Sequence, residues 1–236
     1  ELCDSFFEEN EFEIGIVIGW QRLIPQKVLD RFKHGIFGFH ASPLGLPFGK
    51  GRSPVNWSII RGYEQVYNHC FQYNANTDDG LIYSTTKLEI YPWDDIGSMK
   101  KKSLIDFENA FSRLIKSYEN DSLILTEQDK ERKETFFPKR KPKDGKIKVK
   151  ESSTTEIYNL VRGVSKPFPG AFLNHSTGKC TIWNAQPFTK SLFLDSRIGK
   201  VVRVFDDDSF VLKTKDSTLL VTDYEGVNIY DGMILR

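Results

Sequence analysis

The sequence predicts an α/β fold in two parts: a partial doubly wound sheet, then a small antiparallel β-barrel. Three observations carry that expectation. Ile14-Gly-Ile-Val-Ile18 is a short, β-branched apolar run of the kind found in parallel strands buried on both faces. Residues 127–150 turn abruptly to Lys, Arg, Pro and Asp, the composition of an extended connector. Beyond Pro167 the chain alternates short β-branched runs with turn residues, the spacing of a small barrel.

Bulk properties narrow the class. A chain of 236 residues has room for one large or two small domains, and 13% aromatic content suits a packed core rather than disorder. A formal net charge of +1 exerts no global pull toward nucleic acid or anionic membranes. Three cysteines, Cys3, Cys70 and Cys180, make no Cys-x-x-Cys pair, which fits a reducing, cytoplasmic setting without disulfides. No apolar run reaches the length of a membrane span, and the His and Cys spacings show no zinc pattern. The chain opens at Glu1, not Met. A doubly wound sheet normally places more strand–helix units ahead of a strand such as 14–18, so the N-terminal part of the domain is expected to lie outside this sequence.

The elements follow in order. After strand 14–18, Pro25 sits at the first turn of a helix reaching about Phe32. A strand covers Gly35–Phe39 and delivers His40 to a loop mouth. Ser53 caps a helix with Pro54 at its first position, and Gly62 ends it. Strands near Cys70–Tyr73 and Leu81–Ile90 bracket the turn Asn74-Ala-Asn-Thr-Asp78-Asp79-Gly80. A helix opens at Ser103 with Asp106 completing a capping box, and Leu104, Phe107, Phe111, Leu114, Ile115 and Tyr118 recur at helical spacing toward the core. Ser153 with Glu156 opens a further helix closed by Gly163. Strands at 171–174, 180–184, 200–205, 210–214 and 218–222 complete the chain.

Four segments resemble the formyltransferases that use 10-formyltetrahydrofolate. They are Ile18-Gly-Trp20-Gln-Arg22-Leu23-Ile24-Pro25; Gly35-Ile-Phe-Gly38-Phe-His40; Asn76-Thr77-Asp78-Asp-Gly80-Leu-Ile82; and Thr135-Phe-Phe-Pro-Lys-Arg140 with Pro167-Phe-Pro-Gly-Ala-Phe172. The resemblance implies a formyltransferase catalytic domain over 1–126, a linker over 127–150, and an OB-like C-terminal barrel over 151–236. It implies His40 and Asp78 as the catalytic pair and no metal. Trp20, Arg22, Leu23, Ile24, Asn76 and Thr77 would line the folate pocket, and Ser42, Lys50 and Arg52 would meet the acceptor. The family carries Asn two residues before its His. Here that position is Gly38, and the loop after His40 is two residues longer than usual.

Formyl transfer to an amine is acyl transfer, so it needs a base near neutrality, for which His40 suits, and an anion to orient that base, for which Asp78 suits. The oxyanion donor must come from backbone, water or an amide such as Asn56 or Asn76. His34, His69 and His175 read as structural. Gly49-Lys50-Gly51-Arg52-Ser53 fails the Walker pattern and reads as a turn into a helix whose amides could take a phosphate. The basic run 139–150 reads as solvated linker and edge strand. The near-neutral charge favours a small acceptor, and the Gly-Trp-x-x-Leu-Ile-Pro and Gly-Arg-Ser-Pro wording resembles the branch of the family that acts on an amino-sugar nucleotide. Initiator tRNA is the alternative acceptor, and a silent binding module is the alternative class. A homodimer is compatible with either.

Overall fold

The computed structural model describes residues 2–20 and 22–236. The chain divides into two compact units, one made of Glu1–Val55, Glu64–Ile90 and Lys100–Lys139, the other of Asn56–Tyr63, Tyr91–Met99 and Arg140–Arg236.

The first unit opens with α1 (Leu2–Glu9) and is built on a four-stranded sheet. Its strands are β1 (Gly15–Ile16), β2 (Ile36–Ser42), β4 (Gln65–Gln72) and β5 (Ile82–Glu89), in that spatial order. β1 pairs with β2 in parallel, while β2–β4 and β4–β5 are antiparallel. The sheet is therefore mixed, parallel only between β1 and β2. β1 is also shorter than the run 14–18, and Ile16 and Ile18 are 42% and 66% exposed. Among the described residues its strand partner is β2, and the run is not buried on both faces as expected.

Alternation along β2 sorts its residues between two faces. Phe37 and Phe39 point toward α4 (Ile96–Glu119), where Phe37 packs with Cys70, Ala110 and Leu114. Phe39 stacks on Phe107 at 4.1 Å between ring centroids and meets Phe111 edge-on at 4.8 Å. Full burial of a side chain such as Phe37 contributes roughly 1.5–3 kcal/mol. The opposite face carries Ile36, Gly38, His40 and Ser42. Ile36 packs there with Val28 and Leu29, the latter two from α2 (Gln26–Leu29), and with Tyr73. His40 thus lies inside the strand, paired across to His69, and not beyond its end at a loop mouth.

α4 starts seven residues before Ser103. Its box is Asp95 with Ser98: the Ser98 N–H donates to Asp95 Oδ1 at 2.7 Å and the Asp95 N–H to Ser98 Oγ at 3.1 Å. Ser103 and Asp106 are buried in mid-helix, where Asp106 Oδ2 accepts from Asn68 Nδ2 at 3.0 Å. Leu104, expected in the core, is 53% exposed. The short strands β3 (Lys50–Gly51) and β6 (Phe136–Phe137) pair in parallel, so residues 136–137 of the expected connector are part of a sheet. Before α3 (Pro54–Ile60), Ser53 has φ 55, which is outside the extended region an N-cap uses.

The second unit packs α5 (Thr154–Gly163) on five antiparallel strands. Ser153 caps α5 with Glu156 as the sequence predicts. The strands are β7 (Ala171–His175), β8 (Gly178–Pro187), β9 (Val201–Val204), β10 (Phe210–Lys213) and β11 (Thr218–Glu225), in the order β7-β8-β11-β10-β9. Ile157 and Val161 of α5 join Leu173, Ile182, Phe210, Leu212, Leu219 and Val221 in one core. Ile147 and Val149, from the basic run, are buried in the same cluster. The C-terminal residues bond to both edge strands: Val201 N–H donates to Met233 O at 2.8 Å, and Asn174 and Arg236 exchange N–H···O bonds of 2.6 and 2.8 Å. Gly62, at φ 73, ends the α3 segment, with the Tyr63 N–H donating back to Ser58 O.

Candidate functional site

The site grows from three pieces of the first unit: the inner face of β2, the glycine-rich loop that follows it, and the loop between β4 and β5. His40 is 7% exposed. Its Nε2 lies 2.9 Å from Gly49 O and its Nδ1 lies 3.3 Å from Asp78 Oδ2. A carbonyl only accepts, so Nε2–H is the donor to Gly49 in the neutral ring. Nδ1 is then the basic nitrogen, and it faces a carboxylate. The 3.3 Å separation is slightly long for a hydrogen bond. A proton taken up at Nδ1 lands against Asp78.

Asp78 is held from several sides. Its Oδ2 accepts the Gly51 N–H at 2.8 Å, and Gln128 Nε2 donates to Asp78 O at 2.8 Å and to Gly80 O at 3.0 Å. Asp78 has φ 50, a left-handed conformation that Asp tolerates better than most residues. Gly80 packs against strand backbone: a Cβ there would lie 1.5 Å from Gln72 O. The Asp-x-Gly spacing thus sets the carboxylate two residues ahead of the point where the loop rejoins β4.

His69 is buried beside His40. The Leu46 N–H donates to its Nε2 at 3.1 Å and its Nδ1 meets Thr85 Oγ1 at 2.8 Å, so Nδ1 carries the proton. Burial, with the nearby His40 and Arg132 charges, pushes its titration down to about 4. His69 is a neutral strut for the extended loop after His40, in keeping with the structural reading.

The other expected site residues fall into two groups. Trp20 and Leu23 are 56% and 58% exposed, Arg22 is exposed, and Ile24 is half-buried against Val28 and Ile36. Asn76 and Thr77 are exposed on the Asp78 loop, where Asn76 Nδ2 donates to Asp79 Oδ2 at 3.2 Å. Arg52 is half-buried, its N–H donating to Phe137 O. Ser42 and Lys50, by contrast, are turned inward. Ser42 is fully buried and its hydroxyl donates to Phe48 O at 2.5 Å. Lys50 Nζ is buried between Asp79 Oδ1 at 2.5 Å and Glu134 Oε1 at 2.6 Å. Burial opposes its charge, but the two carboxylates outweigh that and hold the ammonium above the ordinary lysine range. The Lys50 bond correspondingly holds Asp79 below the usual carboxylate range. The structure therefore gives Ser42 and Lys50 work within the loop itself. Asn56, one amide candidate for the oxyanion, is buried with its Nδ2 donating to Gly163 O at 2.8 Å.

Sequence reasoning did not find Tyr73, Gln128 or Glu134. Gln128 and Glu134 lie in the charged stretch after α4, where nothing local marks a long-range partner. No cluster of three or more His, Cys, Asp or Glu able to hold a metal occurs among the described residues. Cys70 and Cys180 are buried thiols raised to about 12 by that burial. No helix among the described residues is long and apolar enough to cross a membrane.

The arrangement defines a two-part chain with a His–Asp pair on its α/β part and a capped antiparallel sheet as its second part. Models of two domains match this plan: formyl transferase over residues 3–115 and formyl transferase, C-terminal domain, over residues 139–230. The chain belongs to the formyl transferase family.

Solved structures share the fold. HypX from Aquifex aeolicus, in a four-site variant, is 17% identical with a TM-score of 0.73 over 94% of this chain and 39% of that one. An N-formyltransferase from Helicobacter canadensis, in complex with folinic acid and dTDP-3-aminofucose, is 15% identical with a TM-score of 0.63 over 89% of this chain and 73% of that one. Methionyl-tRNA formyltransferase from Clostridium thermocellum is 23% identical with a TM-score of 0.59 over 74% of this chain and 72% of that one. The chain thus spans about two fifths of the length of HypX.

Proposed function

We propose that the protein transfers a formyl group from 10-formyltetrahydrofolate to an amine, and that the acceptor is an amino-sugar nucleotide. The observation that carries this reading is the His40–Asp78 pair, 3.3 Å apart, on the formyl transferase fold. Asn76 and Thr77 lead the chain into Asp78, and the exposed Trp20 and Leu23 supply flat and aliphatic surface suited to a pterin ring. Arg22 and Arg52 are the cations of the expected set whose side chains retain solvent contact, and they suit the anionic ends of donor or acceptor.

The donor substrate supplies an electrophilic formyl carbon on its N10 nitrogen. His40 takes the proton of the attacking amine at Nδ1, the nitrogen that the Nε2–H bond to Gly49 leaves unprotonated and that faces Asp78 Oδ2. Asp78 stabilises the imidazolium so formed and keeps the ring oriented. Gly51 N–H holds that carboxylate and Gln128 holds the Asp78 backbone carbonyl, so little reorganisation is needed as charge appears. The second unit, with its C-terminal residues bonded to both edge strands, is read as an OB-like barrel, and the catalytic domain, linker and barrel as 1–126, 127–150 and 151–236.

Near-neutral charge favours the nucleotide sugar over tRNA, whose binding rests on many Lys and Arg contacts. The test is product formation by the full-length protein from 10-formyltetrahydrofolate with a panel of amino-sugar nucleotides and with charged initiator tRNA. Turnover on a sugar nucleotide is the expected result. Turnover on tRNA alone replaces the acceptor, and turnover on neither overturns the reading.

A further inference from the structure

We infer that the Tyr73 hydroxyl donates the hydrogen bond that holds the formyl oxyanion, from the space a side chain at position 38 would otherwise fill. The inference rests on the formyl-transfer reading and adds a residue to it.

Gly38 lies on β2 two residues before His40, on the same face of the sheet and about 7 Å away along the strand. The residue at 38 therefore overlooks the space into which His40 projects. In this chain it has no side chain, and the position is not open. A Cβ built on Gly38 would lie 2.5 Å from the Tyr73 hydroxyl oxygen, 2.6 Å from Cζ and 2.8 Å from Cε1. The end of the phenol occupies the place where a residue-38 side chain would begin.

Tyr73 is well fixed there. Its N–H donates to Ile36 O at 2.7 Å, tying the end of β4 to β2. Its ring packs at 5.0 Å from Phe71, the residue directly opposite Gly38 in the strand pairing. The hydroxyl makes no hydrogen bond to any described residue, so its proton is uncommitted. Burial, with the Asp78 and Cys70 charges beside it, pushes the phenol up to about 12, so it is a neutral donor at working pH. A half-buried, oriented, neutral O–H beside a His–Asp pair is what an oxyanion requires. The absence of a side chain at Gly38 and the placement of Tyr73 are one feature: neither residue could be enlarged without displacing the other.

The step balances as follows. The amine lone pair forms the new C–N bond to the formyl carbon, and the C=O π pair moves to oxygen, which Tyr73 O–H bonds without giving up its proton. His40 takes one proton from the amine nitrogen. The oxygen pair then returns to re-form C=O, the bond from carbon to N10 breaks, and the proton passes to N10.

Tyr73→Phe in the full-length protein removes the donor but keeps the ring. The expected result is a fall in kcat of about 10²–10³, with the dissociation constant for 5-formyltetrahydrofolate, measured by calorimetry, unchanged within about threefold because uniform ground-state contacts remain. A second measurement needs no turnover. Gly38→Ala should lower the melting temperature when Tyr73 is present and leave it unchanged in a Tyr73→Ala background, because the clash has gone. In that same background Gly38→Asn should restore at least tenfold of the lost kcat by supplying an amide donor. A Tyr73→Phe variant with wild-type kcat overturns the inference while leaving the formyl-transfer reading intact, as does an equal cost of Gly38→Ala in both backgrounds. Absence of wild-type turnover on every acceptor overturns the reading and the inference with it.

Discussion

The Gly51 N–H donates at 2.8 Å to Asp78 Oδ2, the same oxygen that faces His40 Nδ1. One backbone amide of the glycine-rich loop thereby helps to aim the carboxylate of another loop at the imidazole. Both contacts fall on one oxygen, so an amide oxygen could receive them too; what an amide lacks is the negative charge that stabilises an imidazolium.

Asp78→Asn should therefore lower kcat by about 10²–10⁴ while the melting temperature moves by only a few degrees. His40→Asn should cost a similar factor, since the pair acts as a unit and its losses do not add. Single and double variants assayed side by side check both statements. A double variant far slower than either single one would show two independent groups.

Lys50 separates a structural from a ligand-binding role. Its Nζ is held by Asp79 and Glu134, both of which keep solvent contact of their own. Lys50→Met should leave the acceptor KM within about threefold and lower kcat, because loosening Asp79 disturbs the adjacent Asp78. A rise of tenfold or more in acceptor KM with kcat unchanged would instead identify Lys50 as a phosphate ligand.

Gly80→Ala places a methyl 1.5 Å from Gln72 O, which is backbone and cannot rotate aside. The loop must shift, at a cost of about 1–3 kcal/mol typical of overpacking, and Asp78 shifts with it. Denaturant unfolding and kcat should fall together. A variant with wild-type stability and rate would show that the Asp-x-Gly spacing does not fix the carboxylate.

Much of this site was legible in local sequence. His40, Asp78 and Gly80 stand in short motifs whose chemistry depends on residues two or three apart, and the Ser153–Glu156 box needs only four positions to read. What failed to show was set by contacts between distant segments. The Ser103–Asp106 pattern satisfies a capping box on paper, but Asp95 and Ser98 close the same box earlier, and Asp106 is instead bonded to Asn68. Tyr73 reads as an ordinary strand-end aromatic until the β2–β4 register brings it over Gly38. Lys50 reads as an acceptor-binding cation until Glu134, eighty-four residues on, is found bonded to it.

His69 yields a prediction on stability alone. Its proton on Nδ1 goes to Thr85 and its Nε2 accepts from Leu46, so the folded ring has no lone pair free for a second proton. Burial lowers its folded value to about 4 from 6.5. Because the unfolded chain binds that proton more readily, stability is fully present above about pH 6.5 and is lost as pH falls toward 4. The difference corresponds to roughly 3 kcal/mol across the window, at 1.36 kcal/mol per pH unit. Urea unfolding at a series of pH values between 7 and 4 should show this fall. His69→Gln offers the same acceptor and donor without titrating, so the dependence in that window should flatten by about that amount. An unchanged slope in His69→Gln would mean that other groups drive the acid sensitivity and that the His69 ring accepts its proton in the folded state.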